Sequence, residues 1–125
     1  MSKILLVEDE KVNRDILARR LAKQGFAVQI AVNGVEACAA AQTAAVDLIL
    51  MDAQMPEMDG YEAIRRLKAV PQTQKIPIIA LTAHVMCEER NKALAAGCDD
   101  FHGKPVEFDK LLQQIDTALQ KEVCP

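Results

Sequence analysis

With 125 residues, 50% of them hydrophobic and 26% charged, the chain is long enough for one domain with a real core and too short for two. A net charge of −3 with no Trp, one Tyr and three Phe provides neither the basic footprint nor the stacking surface of a nucleic-acid binder. Four cysteines (Cys38, Cys87, Cys98 and Cys124) form no C-x-x-C pair and only two His are present, which argues against zinc and for free thiols in a reducing compartment. The apolar run after Lys3 is too short for a signal-peptide core and no run approaches membrane-span length, so the cytoplasm is expected.

Residues 3–7 are a short, continuously apolar run, the pattern of a strand covered on both faces. The run stops at Glu8-Asp9-Glu10. Residues 12–24 read as a helix with Val12, Ile16, Leu17 and Leu21 on its apolar side, and Gly25 suits the left-handed position that ends it. Residues 26–32 form a second strand, interrupted by Gln29 and so suited to a sheet edge. Asn33-Gly34 starts an alanine-rich helix over 35–43, and residues 46–51 make the third strand. Asp59 can cap a helix over 60–69 in which Ile64 and Leu67 face inward. The fourth strand spans 76–81, with Pro77 tolerated near its start.

The next helix, 85–96, has acids in its first turns but a poor apolar stripe, and is expected to be held loosely. Gly97 ends it. A short fifth strand surrounds Phe101. Residues 106–121 then carry Phe108, Leu111, Leu112, Ile115 and Leu119 at the spacing of a core face. Strict strand–helix alternation with apolar strands predicts an α/β fold: a doubly wound, five-stranded parallel sheet with helices on both faces.

In such sheets ligands gather outside the carboxyl ends of the strands, near the point where strand order reverses. The residues at those ends form a pattern. Strand one ends at Glu8 and Asp9, strand three at Asp52 and strand four at Thr82, and Lys104-Pro105 follows strand five. Strand two offers no charge. The order 2-1-3-4-5 puts strand two at an edge and brings the other four ends to one crevice.

Three carboxylates, a hydroxyl and an ammonium are a specific chemical set. Like charges about 4 Å apart repel by roughly 4 kcal/mol at an effective dielectric of about 20. The carboxylates therefore call for a cation, and oxygen-only ligation with room for waters suits Mg²⁺. A phosphoryl group can then approach Asp52, with Thr82, Lys104 and the backbone N–H of Ala53 holding its other oxygens.

Four segments together resemble the receiver domain of two-component response regulators, in the single-domain, chemotaxis-receiver style. They are Val7-Glu8-Asp9, the run from Leu48 through Asp52 to Met55-Pro56-Glu57-Met58-Asp59-Gly60, Ala80-Leu81-Thr82-Ala83, and Phe101-His102-Gly103-Lys104-Pro105. The resemblance covers nearly the whole chain, so residues 1–125 are expected to form one receiver domain with a flavodoxin-like (βα)₅ fold. It implies that Asp52 accepts a phosphoryl group. It further implies that Asp9, Asp52 and the backbone carbonyl of Gln54 ligate Mg²⁺ directly and Glu8 does so through water, with Mn²⁺ an expected substitute. Thr82 and Phe101 take the switch positions, the Lys104–Pro105 peptide bond is expected to be cis, and Gln54 and His84 flank the phosphoryl group and tune its lifetime.

The implied donor is a histidine kinase or a histidine phosphotransfer protein, acting in a phosphorelay. The implied output is a changed surface on the fourth helix, fifth strand and fifth helix, read by an unknown protein target, with no nucleic acid or membrane involved. A monomer or a phosphorylation-dependent homodimer is expected, and self-catalysed phosphotransfer and autodephosphorylation are the only chemistry. The short tail after the last helix suggests a single-domain regulator. The alternatives are a receiver cut from a hybrid histidine kinase and a receiver fold used as a non-phosphorylated interaction module. A flavodoxin-like cofactor binder fits poorly because the first loop is acidic. A Mg²⁺-dependent aspartyl-phosphate phosphatase would want a carboxylate where Gln54 stands. His102 is expected at the surface or just behind the site.

Overall fold

The computed structural model describes residues 2–43, 45–53, 60–82 and 87–123. The elements alternate as β1 (Lys3–Val7), α1 (Lys11–Lys23), β2 (Ala27–Ala31), α2 (Gly34–Thr43), β3 (Leu48–Asp52), α3 (Gly60–Ala69), β4 (Ile78–Thr82), α4 (Cys87–Ala96), β5 (Asp100–Gly103) and α5 (Phe108–Val123). All five strands are parallel, in the order β2-β1-β3-β4-β5. This is the doubly wound sheet that the sequence predicts.

Side-chain alternation splits the apolar strands between two cores. Leu5, Val7, Ile49, Met51, Ile78 and Ala80 pack on the side of α2 and α3. Ile4, Leu6, Leu48, Leu50, Ile79 and Leu81 pack on the side of α1 and α5, against Leu17, Leu21, Leu111 and Ile115. The large aliphatics of the three central strands are at most 1% exposed, and burying each such side chain contributes about 1.5–3 kcal/mol. Nothing local favours this sheet as strongly as coverage on both faces does.

The helix ends follow sequence chemistry. Glu10 caps α1 by accepting from the N–H of Val12. Asn33 Oδ1 accepts the N–H of Glu36 at 2.8 Å at the start of α2. Gly25, with φ +96°, occupies the left-handed position after α1. Asp59, read as the cap of α3, lies outside the described residues.

One expectation about α1 fails. Leu17 and Leu21 are buried, but Val12 is 61% and Ile16 51% exposed. Val12 and Leu21 are nine positions apart, about 180° around a helix of 3.6 residues per turn. They cannot share a face, and the sheet takes Leu21. In α5 the expected stripe faces the core, with Leu111 and Ile115 fully buried and Phe108 and Leu119 partly so. In α4, Leu94 is 49% exposed while Ala96 is buried.

Candidate functional site

Register brings the strand ends into line. Val7 pairs with Met51, Asp52 with Leu81, and Thr82 with Gly103. Glu8, Asp52, Thr82 and Lys104 therefore arrive at adjacent points on the carboxyl edge, although the first and last are 96 positions apart. One oxygen from each of Glu8, Asp9 and Asp52 lies within 4.8 Å of the others. Glu8, Asp52 and Thr82 are at most 3% exposed, whereas Asp9 is exposed. The ammonium of Lys104 reaches Asp52 Oδ1 at 3.1 Å and Glu8 Oε2 at 3.5 Å. The Lys104–Pro105 bond is cis.

Several backbone bonds hold this arrangement. The Lys104 N–H donates to the Thr82 carbonyl at 2.7 Å, and the Glu8 N–H to that of Ala31 at 3.1 Å. Arg14, which the sequence reading placed only on the wet side of its helix, donates to the Glu8 carbonyl at 3.3 Å. The Ala53 N–H donates to the Leu81 carbonyl at 2.8 Å. The sequence reading assigned that N–H to the phosphoryl group; here it is engaged within the sheet. The β3–β4 ladder runs one residue past the apolar stretch and uses the donor.

Electrostatics follows from this packing. Burial, then the charge of Asp52, pushes the Glu8 carboxyl from its usual 4.5 up to about 7, against the lowering effect of Lys104. Burial pulls the Lys104 ammonium down, but the charges of Asp52 and then Glu8 outweigh it and leave its pKa raised. The donor set is all oxygen, two of its members are buried, and one ammonium faces them. A hard divalent cation such as Mg²⁺ fits that chemistry, and a soft metal does not.

Phe101 is half-buried against the α2–α3 core. Gln54 and His84 lie outside the described residues. The sequence reading missed one contributor and left a second open between the surface and the region behind the site. Gly60 abuts the backbone of Asp52 and Ala53, and its N–H donates to the Ala53 carbonyl at 3.0 Å. His102 is only 7% exposed and is hydrogen-bonded through both ring nitrogens. A glycine a few positions after Asp52, at the start of a helix, is a signal that could have revealed the first. No sequence signal separates a buried His102 from an exposed one.

The response regulator receiver domain family matches residues 4–116. The chain belongs to this family. Within it, the receiver is 44% identical over 117 residues to hybrid signal transduction histidine kinase G of Dictyostelium discoideum, covering 91% of this chain and 3% of that protein. It is 37% identical to the transcriptional regulatory protein CusR of Escherichia coli K12, covering 95% of this chain and 52% of CusR. It thus spans about half of one relative and a small part of the other. The receiver domain of sensor histidine kinase PA1611 from Pseudomonas aeruginosa PAO1 superposes with a TM-score of 0.89 at 34% identity, covering 95% of this chain and 98% of that one. That structure holds a magnesium ion in its active-site cleft. The receiver is a signalling domain rather than a conventional enzyme. Among the described residues, no helix is long and apolar enough to cross a membrane.

Proposed function

We propose that residues 1–125 form one receiver that takes a phosphoryl group from a phosphohistidine donor onto Asp52. The observation that carries this reading is the buried Asp52 carboxylate, set beside Glu8 and Asp9 and bridged by Lys104. A carboxylate oxygen of Asp52 attacks phosphorus, the P–N bond of the donor breaks, and the imidazole leaves with the electron pair. Lys104 Nζ moves from the carboxylate toward the phosphoryl oxygens, and the Thr82 hydroxyl takes another of them. Asp9 and Asp52, with the Gln54 carbonyl that the family resemblance implies, would hold Mg²⁺, and Glu8 would reach it through water. When bound, the ion supplies the positive charge that lets an anion approach the carboxylates.

The site's rim supports a helical histidine-bearing partner. Val12 and Ile16 stand exposed on α1, and Ile16 lines a cleft of about 530 Å³ with Lys104, Pro105 and Val106. A histidine kinase or phosphotransfer protein docks there in the cytoplasm. Phosphorylation draws Thr82 inward and Phe101 follows, biasing the α4–β5–α5 face for a protein target, onward relay or a homodimer. A few kcal/mol of differential binding is enough for such a shift. Autodephosphorylation resets it, at a rate set by Gln54 and His84.

The test is phosphorylation by acetyl phosphate or phosphoramidate, with and without Mg²⁺, read by intact mass. One phosphoryl group is expected on the unmodified chain with Mg²⁺ and none on Asp52→Asn. No gain by a chain that binds Mg²⁺ would leave a receiver fold used as a constitutive interaction module.

Glu8 makes a second expectation. The folded chain holds its proton up to about pH 7, but an unfolded glutamate does so only to the usual 4.5. Without divalent cation, the stability present below that lower value is lost as pH rises through about 7. The size is roughly 3 kcal/mol, because each tenfold gain in proton affinity on folding is worth about 1.4 kcal/mol. Denaturant melts at pH 5.5 and pH 8 will show about 2 kcal/mol of it, because the first unit of the window lies below pH 5.5, and Mg²⁺ at pH 8 will reverse it.

A further inference from the structure

The loop that carries Lys104 runs from the end of β5 to the start of α5, and Pro105 within it has no N–H with which to anchor it. Two backbone donors fix its ends. The Lys104 N–H donates to the Thr82 carbonyl at 2.7 Å. The Glu107 N–H, which precedes α5 and has no partner within the helix, donates to Nε2 of His102 at 3.0 Å. The other ring nitrogen of His102, Nδ1, lies 2.7 Å from Gln114 Oε1 on α5.

The Gln114 amide is itself oriented, because its NH₂ donates to Asp100 Oδ2 at 2.9 Å and to the Phe101 carbonyl at 2.8 Å. Its oxygen therefore faces the ring and can only accept. Nδ1 must carry the proton, and Nε2 must present its lone pair to the Glu107 N–H. The ring is a neutral link with a fixed tautomer, tying β5 and α5 to the far end of the lysine loop.

We infer that His102 is a positioning residue: by accepting from the Glu107 N–H, it holds the loop that sets Lys104 over Asp52. This rests on the reading of Asp52 as acceptor only for its effect on rate. The geometric part stands by itself.

The experiment compares the unmodified chain with His102→Leu, which fills the space without an acceptor, and His102→Gln, whose carbonyl can reach the Glu107 N–H. Three readouts are taken on each folded protein where they apply: ring ¹⁵N shifts, amide exchange at Glu107 and Lys104, and the acetyl phosphate phosphorylation rate with Mg²⁺. The unmodified ring is expected as the neutral Nδ1–H tautomer. His102→Leu should exchange about tenfold faster at Glu107, the equivalent of one lost hydrogen bond, and phosphorylate about tenfold more slowly. His102→Gln should recover both. Melting temperatures separate this from packing, since a purely structural role would track stability and show no advantage for Gln over Leu. An Nε2–H tautomer, or unchanged exchange in His102→Leu, overturns the inference. Failure of the unmodified chain to phosphorylate instead rejects the acceptor reading, and the shifts and exchange then decide His102.

Discussion

Lys104→Met will phosphorylate at least about a hundredfold more slowly than the unmodified chain, the scale of losing one preorganised charge from a transition state. Methionine keeps the apolar stem and removes only the ammonium, which lies 3.1 Å from Asp52 and 3.5 Å from Glu8. The unphosphorylated protein will suffer too. Two carboxylates that are at most 3% exposed would lose the cation between them. Removing one partner from such a pair costs about 3–5 kcal/mol when the charges persist. Part of that cost will be avoided where Glu8 takes a proton, a range that extends above pH 7 once Lys104, which lowers the Glu8 pKa, is gone. Single-turnover rates with acetyl phosphate at saturating Mg²⁺, together with melts at pH 5.5 and pH 8, measure both effects. A normal rate would remove Lys104 from phosphoryl handling, and a normal melt at pH 8 would show that the pair is not held in a low-dielectric setting.

Gly60→Ala should damage the same site from behind. A Cβ built there collides with the Asp52 carbonyl oxygen and sits 2.6 Å from Ala53 Cα. Both are backbone atoms of the segment that carries Asp52, the proposed acceptor, so no flexible side chain can yield. Overpacking of this kind costs about 1–3 kcal/mol, and the backbone contact puts Gly60 at the upper end. A shift of about 1 Å at the proposed acceptor carboxylate is worth about a hundredfold in rate. Gly25→Ala is the control. It strains a φ of +96° but meets nothing within 4 Å. It should lose about 1–2 kcal/mol and leave the phosphorylation rate unchanged. Equal rates for Gly60→Ala and the unmodified chain would show that α3 can retreat without moving Asp52.

Most elements were legible because their causes are local. Apolar runs bounded by charge mark the strands, Asn33 and Gly25 announce helix ends, and the i, i+3, i+4 spacing around Leu111 and Ile115 gives α5 its inner face. The strand-end acids, Thr82 and Lys104 were legible as a set for a related reason. A charge that terminates a buried run has to sit at the end of the sheet, beyond its apolar interior. The α1 stripe was misread because Val12 and Ile16 satisfy the residue type of a core position while lying at the wrong angle on the helix.

The sequence by itself determined the alternating parallel fold and the residues that gather at its carboxyl edge, since both depend on neighbours along the chain. Only the tertiary structure decided which groups touch. Strand register, fixed by burial across the whole sheet, brought Lys104 onto Asp52 and Glu8, ran the Ala53 N–H into the β3–β4 ladder, and pressed Gly60 onto the backbone of Asp52 and Ala53. It also placed His102 between β5 and α5, where a side chain readable as surface becomes a buried link with its proton on one chosen nitrogen. Periodicity is written into a few consecutive residues, whereas a contact across the fold depends on every strand that lies between.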